Sequence, residues 1–160
     1  MTEWKKTLGL RAFGLLKIPL LCSVRPTILR LNRELCEIRI PLNYWTRNHL
    51  KSMYFGTLAI GADCAGGLLA QEAIRKSGKD VVLIFKDFHA DFLKRAEHDV
   101  HFTCKDGLKI EKQVKETVQS GERTNQTLTI VATTPKVTGD EPVAKFLLTL
   151  SLKLKSGKSK

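Results

Sequence analysis

Residues 48 to 73 read NHLKSMYFGTLAIGADCAGGLLAQEA, and across residues 52 to 71 Asp63 is the only charged side chain. Twenty residues is about the length of a membrane span. An Asp at the centre of a spanning helix costs about 2.5–3.5 kcal/mol, however, and Gly56, Gly61, Gly66 and Gly67 add little apolar area to offset it. A helix buried against a sheet explains the pattern better, running from about Gly56 to Lys76 and ended by Ser77-Gly78. Glycine inside a helix costs roughly 1 kcal/mol relative to alanine, so close packing against the sheet backbone has to compensate.

Outward from this helix the apolar period changes to two. Cys36, Ile38, Ile40 and Leu42 alternate with other residues over 34–42, the mark of a half-buried strand. Two more strands are predicted at about 81–88 and 98–104, the first with a continuous apolar run, Val81 to Phe85, that suggests burial on both sides. Ile110, Val114 and Val118 are four apart, which predicts a short helix between Asp106 and Ser120-Gly121. A hairpin closes the chain: Thr127 to Thr134 is rich in β formers, and Ala144, Phe146, Leu148, Leu150, Leu152 and Leu154 then share one face. The opposite face, with Lys145, Thr149, Ser151 and Lys153, is expected to meet solvent or a partner chain. The sum is a five-stranded, mainly antiparallel sheet with one long helix against it, an α+β layered domain.

The first thirty-two residues read as one or two amphipathic helices. Trp4, Leu8, Ala12, Leu15 and Leu16 recur at three- and four-residue spacing, and Pro19 and Pro26 mark bends or new starts. This segment is expected to cover the domain's own surface; the alternative is peripheral contact with an acidic membrane, favoured by Lys5, Lys6, Arg11 and Lys17. A basic tail, with Lys158 and Lys160, occupies 156–160.

At 160 residues, the chain is long enough for one substantial core. Its formal charge of +11 favours anionic partners. No zinc-finger, KH or RNP-like pattern accompanies that charge, so no specific nucleic-acid partner is expected. Cys22, Cys36, Cys64 and Cys104 form no CxxC pair and read as free thiols of a reducing compartment; Arg11 and Lys17 interrupt any secretory pattern, and a cytoplasmic location is expected. His49, His89, His98 and His101 form no metal motif, and no phosphate-binding glycine loop occurs.

At this point the chain resembles the hotdog fold, a curved antiparallel sheet wrapped around a long central helix. More narrowly, it looks like the phenylacetate-pathway type of hotdog thioesterases and, closer still, the uncharacterised hotdog proteins called domain of unknown function 4442. The residues that carry the likeness are Asn48 six positions before Tyr54, Gly56, Asp63 nine positions after Tyr54, and the late Gly139-Asp140-Glu141-Pro142-Val143-Ala144 turn and strand. In the thioesterase pattern a His-Gly-Gly triplet opens the helix and an acid follows nine residues after the His. Here Tyr54 and Phe55 replace the His and the first Gly. The resemblance covers roughly Pro26 to Lys153, and the chain is divided accordingly into an N-terminal segment 1–32 and a hotdog domain 33–155.

The resemblance implies hydrolysis of an acyl-CoA or related thioester at a site between two subunits of a homodimer or dimer of dimers. Coenzyme A enters as part of the substrate, and no further cofactor or metal is implied. Asp63 would act as base or nucleophile, and the backbone N–H groups of Phe55, Gly56 and Thr57 would polarise the carbonyl. Asp63 is equally readable as a buried structural acid. Asn48 could hold the carbonyl or water, or simply turn its loop. His49 and Tyr54 are candidates to orient ligand, and Arg47, Lys51, Lys86, Lys94 and Arg95 to meet CoA phosphates. The competing expectation is a noncatalytic acyl or lipid binder.

Overall fold

The computed structural model describes residues 2 to 155, so the expected basic tail lies outside them. A helical hairpin comes first: α1 (Glu3–Lys17) and α2 (Pro19–Ser23). Pro19 opens α2, where its missing N–H forfeits no helical bond. Then follow β1 (Thr27–Leu31), β2 (Cys36–Ile40), α3 (Phe55–Ser77), β3 (Val81–Phe92), β4 (Val100–Cys104), α4 (Gly107–Ser120), β5 (Thr124–Thr133) and β6 (Pro142–Leu154). The strands form one antiparallel sheet in the order β1-β2-β4-β5-β6-β3. Because the single helix α3 touches β2, β4, β5, β6 and β3, the sheet has to curve around it.

Alternation in sequence becomes alternation in space. Ile38 pairs with Phe102, Phe102 with Ala132, and Ile130 with Phe146, all fully buried on the face toward α3. The helix meets this face through Gly61, Ala62, Ala65, Gly66, Leu69 and Ala70. The contact is close at Gly61: a Cβ built there would lie within 2.6 Å of ring carbons of Phe102. Gly78, in the left-handed region with φ 65°, ends α3, its N–H donating to the Arg75 carbonyl.

Three expectations are corrected. Among the described residues the sheet has six strands, not five, because β1 begins inside the segment read as helical; Pro26 ends the helical hairpin, and the short TILRL run pairs with β2. The run Val81–Phe85 is not buried on both sides: β3 is an edge strand, with Val82 and Ile84 exposed. Ser151, expected to meet solvent or a partner chain, is buried within the chain itself and accepts a hydrogen bond from Arg123 Nη1 at 3.0 Å.

A fourth correction concerns α1. It packs on the domain by its other side, through Thr7, Leu10 and Gly14, and Thr7 Oγ1 accepts the Ile28 N–H at 3.0 Å. Gly14 admits the Cys22 backbone, whose nitrogen would lie 3.1 Å from an added Cβ. The stripe Trp4, Leu8, Ala12, Leu15 and Leu16 faces solvent.

Candidate functional site

Asp63 sits on the side of α3 that the sheet leaves uncovered. With Ala59, Ile60, Phe85, Lys86, Asp87, Phe88 and Leu148 it lines an open groove of about 470 Å³. It also stands at the edge of a narrower apolar cavity of about 120 Å³ under the N-terminal hairpin, where Leu10, Phe13, Ile18 and Leu21 face Gly67, Leu68, Leu83 and Phe85. Asp63 and Phe85 belong to both spaces and form the waist between them.

The carboxylate is open to water on one side and crowded by apolar wall on the other. Its surface exposure and its desolvation therefore coexist: burial of its inner side raises its pKa, and no ion pair or hydrogen bond among the described residues opposes that. The neighbouring Cys64 is buried, and its thiol is pushed well up by desolvation and by the Asp63 charge. That thiol is a packed neighbour of the acid.

A bulge in β3 shapes the groove. Phe85 pairs with Leu150 and Phe88 with Leu148, so Lys86 and Asp87 together oppose Thr149 alone. Asp87 Oδ1 accepts the Thr149 N–H at 3.0 Å, which satisfies a ladder donor the bulge would otherwise strand. The extra residue lets Phe85 and Phe88 both face α3 although they are three apart. These two walls of the groove were missed by sequence reasoning; the break in alternation at Phe85-Lys86-Asp87-Phe88 was the available signal.

At the start of α3, Tyr54 takes the N-cap position in extended conformation and supplies no side-chain cap. Leu58 N–H donates to the Tyr54 carbonyl, whereas the N–H groups of Phe55, Gly56 and Thr57 find no acceptor among the described residues. The Tyr54 ring lies 4.7 Å from that of Phe55, centroid to centroid, and covers Gly56, where an added Cβ would come within 2.6 Å of Tyr54 Cε1. A side chain at position 56 would require the exposed Tyr54 ring to move aside. Phe55 is itself exposed and meets Phe92 edge-on at 6.4 Å.

The loop before the helix is held by Asn48. Its Oδ1 accepts the N–H groups of Leu50 at 2.9 Å and Ser52 at 3.2 Å, and its Nδ2 donates to Ser52 Oγ at 3.1 Å. Both ends of the amide are engaged within the loop, the behaviour of a turn-forming Asn. Around it lie two adjoining surface pockets that share Asn48 and His49: one carries Arg47 and Lys51 beside Tyr44 and Trp45, the other Tyr54, Phe55, Phe92, Lys94 and Arg95. Lys94 is ion-paired with Glu141 at 2.6 Å, and Arg47 lies over the Tyr44 ring. Lys86 belongs instead to the Asp63 groove.

The structure thus divides the expected site residues into two groups. Asn48, His49, Tyr54, Phe55 and four of the basic residues gather at the helix start; Asp63 and Lys86 share the groove. Eight residues at 1.5 Å rise separate Phe55 from Asp63 by about 12 Å along the helix. One chain alone does not bring the carboxylate to the free N–H groups. No group of three or more His, Cys, Asp or Glu suited to a metal occurs among the described residues.

This arrangement, an antiparallel sheet curled around a central helix with an acid on the helix's open side, is the hotdog fold. The chain belongs to the family described as Domain of unknown function (DUF4442), whose model matches residues 8–150. Among solved structures it is similar to a Pseudomonas aeruginosa protein described as a probable thioesterase, with TM-score 0.77, 23% identity, and coverage of 93% of this chain and 96% of that one. A Chlorobaculum tepidum protein of unknown function superposes with TM-score 0.81 at 12% identity, covering 96% and 98% of the two chains. A thioesterase family protein from Silicibacter pomeroyi gives 0.67 at 16%, covering 93% and 99%. No curated protein matches the sequence. At these identities the likeness is one of fold.

Proposed function

We propose that the protein hydrolyses acyl-CoA or related thioesters at a site completed between two copies of the chain. The observation that carries this reading is Asp63: a carboxylate with no hydrogen-bond or ion-pair partner among the described residues, open to solvent, at the waist between a groove and an apolar cavity. An acyl chain entering the cavity under the N-terminal hairpin would bring its thioester carbonyl to that carboxylate. A raised pKa makes Asp63 a stronger base toward water. Water then adds to the carbonyl carbon, the C–S bond breaks and the proton leaves on the CoA thiol; direct attack by Asp63 followed by hydrolysis reaches the same products.

The second copy is needed to supply the helix start. β3 is a long edge strand with an unpaired side, and Phe55, Phe88 and Phe92 lie exposed beside it. Antiparallel pairing of β3 with its copy runs the two α3 helices in opposite directions, turning the N–H groups of Phe55, Gly56 and Thr57 of one chain toward Asp63 of the other. Arg47, Lys51, Lys94 and Arg95 would then lie near the mouth for CoA phosphates, with His49 and Tyr54 beside the ligand and Asn48 positioning the loop. The noncatalytic acyl binder is the second reading, favoured by the bulky Phe55 where the thioesterase pattern has glycine.

The test is a panel of short, medium, long and aromatic acyl-CoAs assayed for free thiol, with Asp63→Asn beside the wild type and sedimentation to confirm the same assembly. Turnover lost in Asp63→Asn with the dimer intact supports the assignment. Equal turnover in both refutes it, and saturable acyl binding without turnover moves the protein to the second reading.

A further inference from the structure

The N-terminal hairpin is built inside out. The residues of α1 that recur at helical spacing as an apolar stripe are those turned to water: Trp4 is 64% exposed, Leu8 61%, Leu15 67% and Leu16 79%, with Ala12 exposed between them. From Trp4 to Leu16 the stripe runs about 18 Å at helical rise. Leu20 of α2 extends the exposed apolar surface just beyond it. Scattered exposed leucines are ordinary, but a contiguous stripe on one helix face marks a surface that meets something.

Charge decides what it meets. Up to Pro26 the chain carries Lys5, Lys6, Arg11, Lys17 and Arg25 against Glu3 alone. Lys6 is committed to Glu3 and the Leu31 carbonyl, and Arg11 to the Pro26 carbonyl and Thr27. Lys5, Lys17 and Arg25 are exposed and make no ion pair among the described residues, and the Lys5 ammonium lies 5.7 Å from the centre of the Trp4 ring. A second copy docking here would bring like charges together, on a protein of formal charge +11. A bilayer with anionic headgroups would neutralise them while taking the leucines and Trp4 into its interface. No helix among the described residues is long and apolar enough to cross a membrane, so the contact is superficial.

We infer that α1 is a docking surface for anionic lipid membranes, with Trp4, Leu8, Leu15 and Leu16 inserted at the interface and Lys5, Lys17 and Arg25 on the headgroups. This inference stands apart from the thioesterase reading.

The full chain is mixed with vesicles of phosphatidylcholine alone or with phosphatidylserine added, and sedimented. A Trp45→Phe background makes Trp4 the single tryptophan reporter. Three cations near the surface predict a preference for the anionic vesicles on the order of a hundredfold, lost as salt rises. Trp4 emission should shift to the blue on binding. Leu8→Ser/Leu15→Ser/Leu16→Ser, three exposed positions, should weaken binding at least about tenfold while leaving the melting temperature unchanged. Equal sedimentation of wild type and triple variant would overturn the inference. So would a wild type that ignores both vesicles while the triple variant lowers the sedimenting mass, which would assign the stripe to self-association.

Discussion

Gly61 is where the helix touches the sheet most closely, and replacing it tests whether that contact sets the architecture. In Gly61→Ala the new methyl group would fall on three ring carbons of Phe102, the farthest at 2.6 Å, and Phe102 is fully buried with its ring 6.4 Å from that of Phe146. The ring cannot swing away without displacing core. Overpacking of this kind costs about 1–3 kcal/mol, and a clash this direct belongs at the upper end. Removing a helical glycine returns about 1 kcal/mol. The net is a loss of about 2 kcal/mol, or roughly 4–8 °C in melting temperature for a chain of this size. Gly67→Ala is the internal control. Its added Cβ meets only Phe85 Cε2 at 3.9 Å, an ordinary contact, so it should gain up to about 1 kcal/mol. Both variants are followed by urea unfolding at one fixed protein concentration, since assembly would make stability concentration-dependent. If Gly61→Ala proves as stable as the wild type, the close approach of α3 to β4 is wrong, and with it the placement of Asp63 two residues further on.

Asp63 makes a second prediction through pH. Its folded pKa lies above the ordinary value of 3.8, so the unfolded chain gives up this proton first and stability falls as pH rises from there through the folded value. Asp63→Asn should therefore melt higher than wild type at neutral pH, with the gap closing below pH 3.8; a gap independent of pH would count against desolvation as the cause. The cysteines make a third. Cys36, Cys64 and Cys104 are buried, with the Cys104 thiol pushed up to about 11 chiefly by burial, whereas Cys22 is partly exposed. A thiol reagent at pH 8 should label only Cys22 in the folded protein and all four once denaturant is added; prompt labelling of a second thiol in the native state would contradict the core described above.

Much of the fold could be read because alternation survives the curvature of the sheet. Cys36-Ile38-Ile40, Val100-Phe102-Cys104 and the last strand from Ala144 to Leu152 bury the residues their period predicts, and α3 begins and ends within a residue of its sequence signals. Failures came where a short apolar run carries no period. TILRL is too brief to separate from a helix by spacing, and Val81 to Phe85 looks the same on an edge as in the middle of a sheet. The site was half legible. Asp63 could be picked out as the one charge across residues 52 to 71, but whether it faced a groove depended on β3 and the N-terminal hairpin, which lie far away in sequence. The outward turn of the α1 stripe was hidden for a related reason: Thr7, Leu10 and Gly14 supply a second packing face, and periodicity alone does not say which face the domain takes.

The two-against-one step at Lys86-Asp87 divides β3 into segments of opposite phase. Losing one of these two residues would restore plain alternation and keep Phe88, Ala90 and Phe92 on the helix side, opposite Leu148, Phe146 and Ala144, whereas losing a residue elsewhere in the strand would turn one of the two segments to the far side of the sheet. Related chains are thus free to vary the length of neighbouring loops, but a single-residue gap inside this strand should fall at the step itself, and elsewhere in it changes of length should come only in pairs.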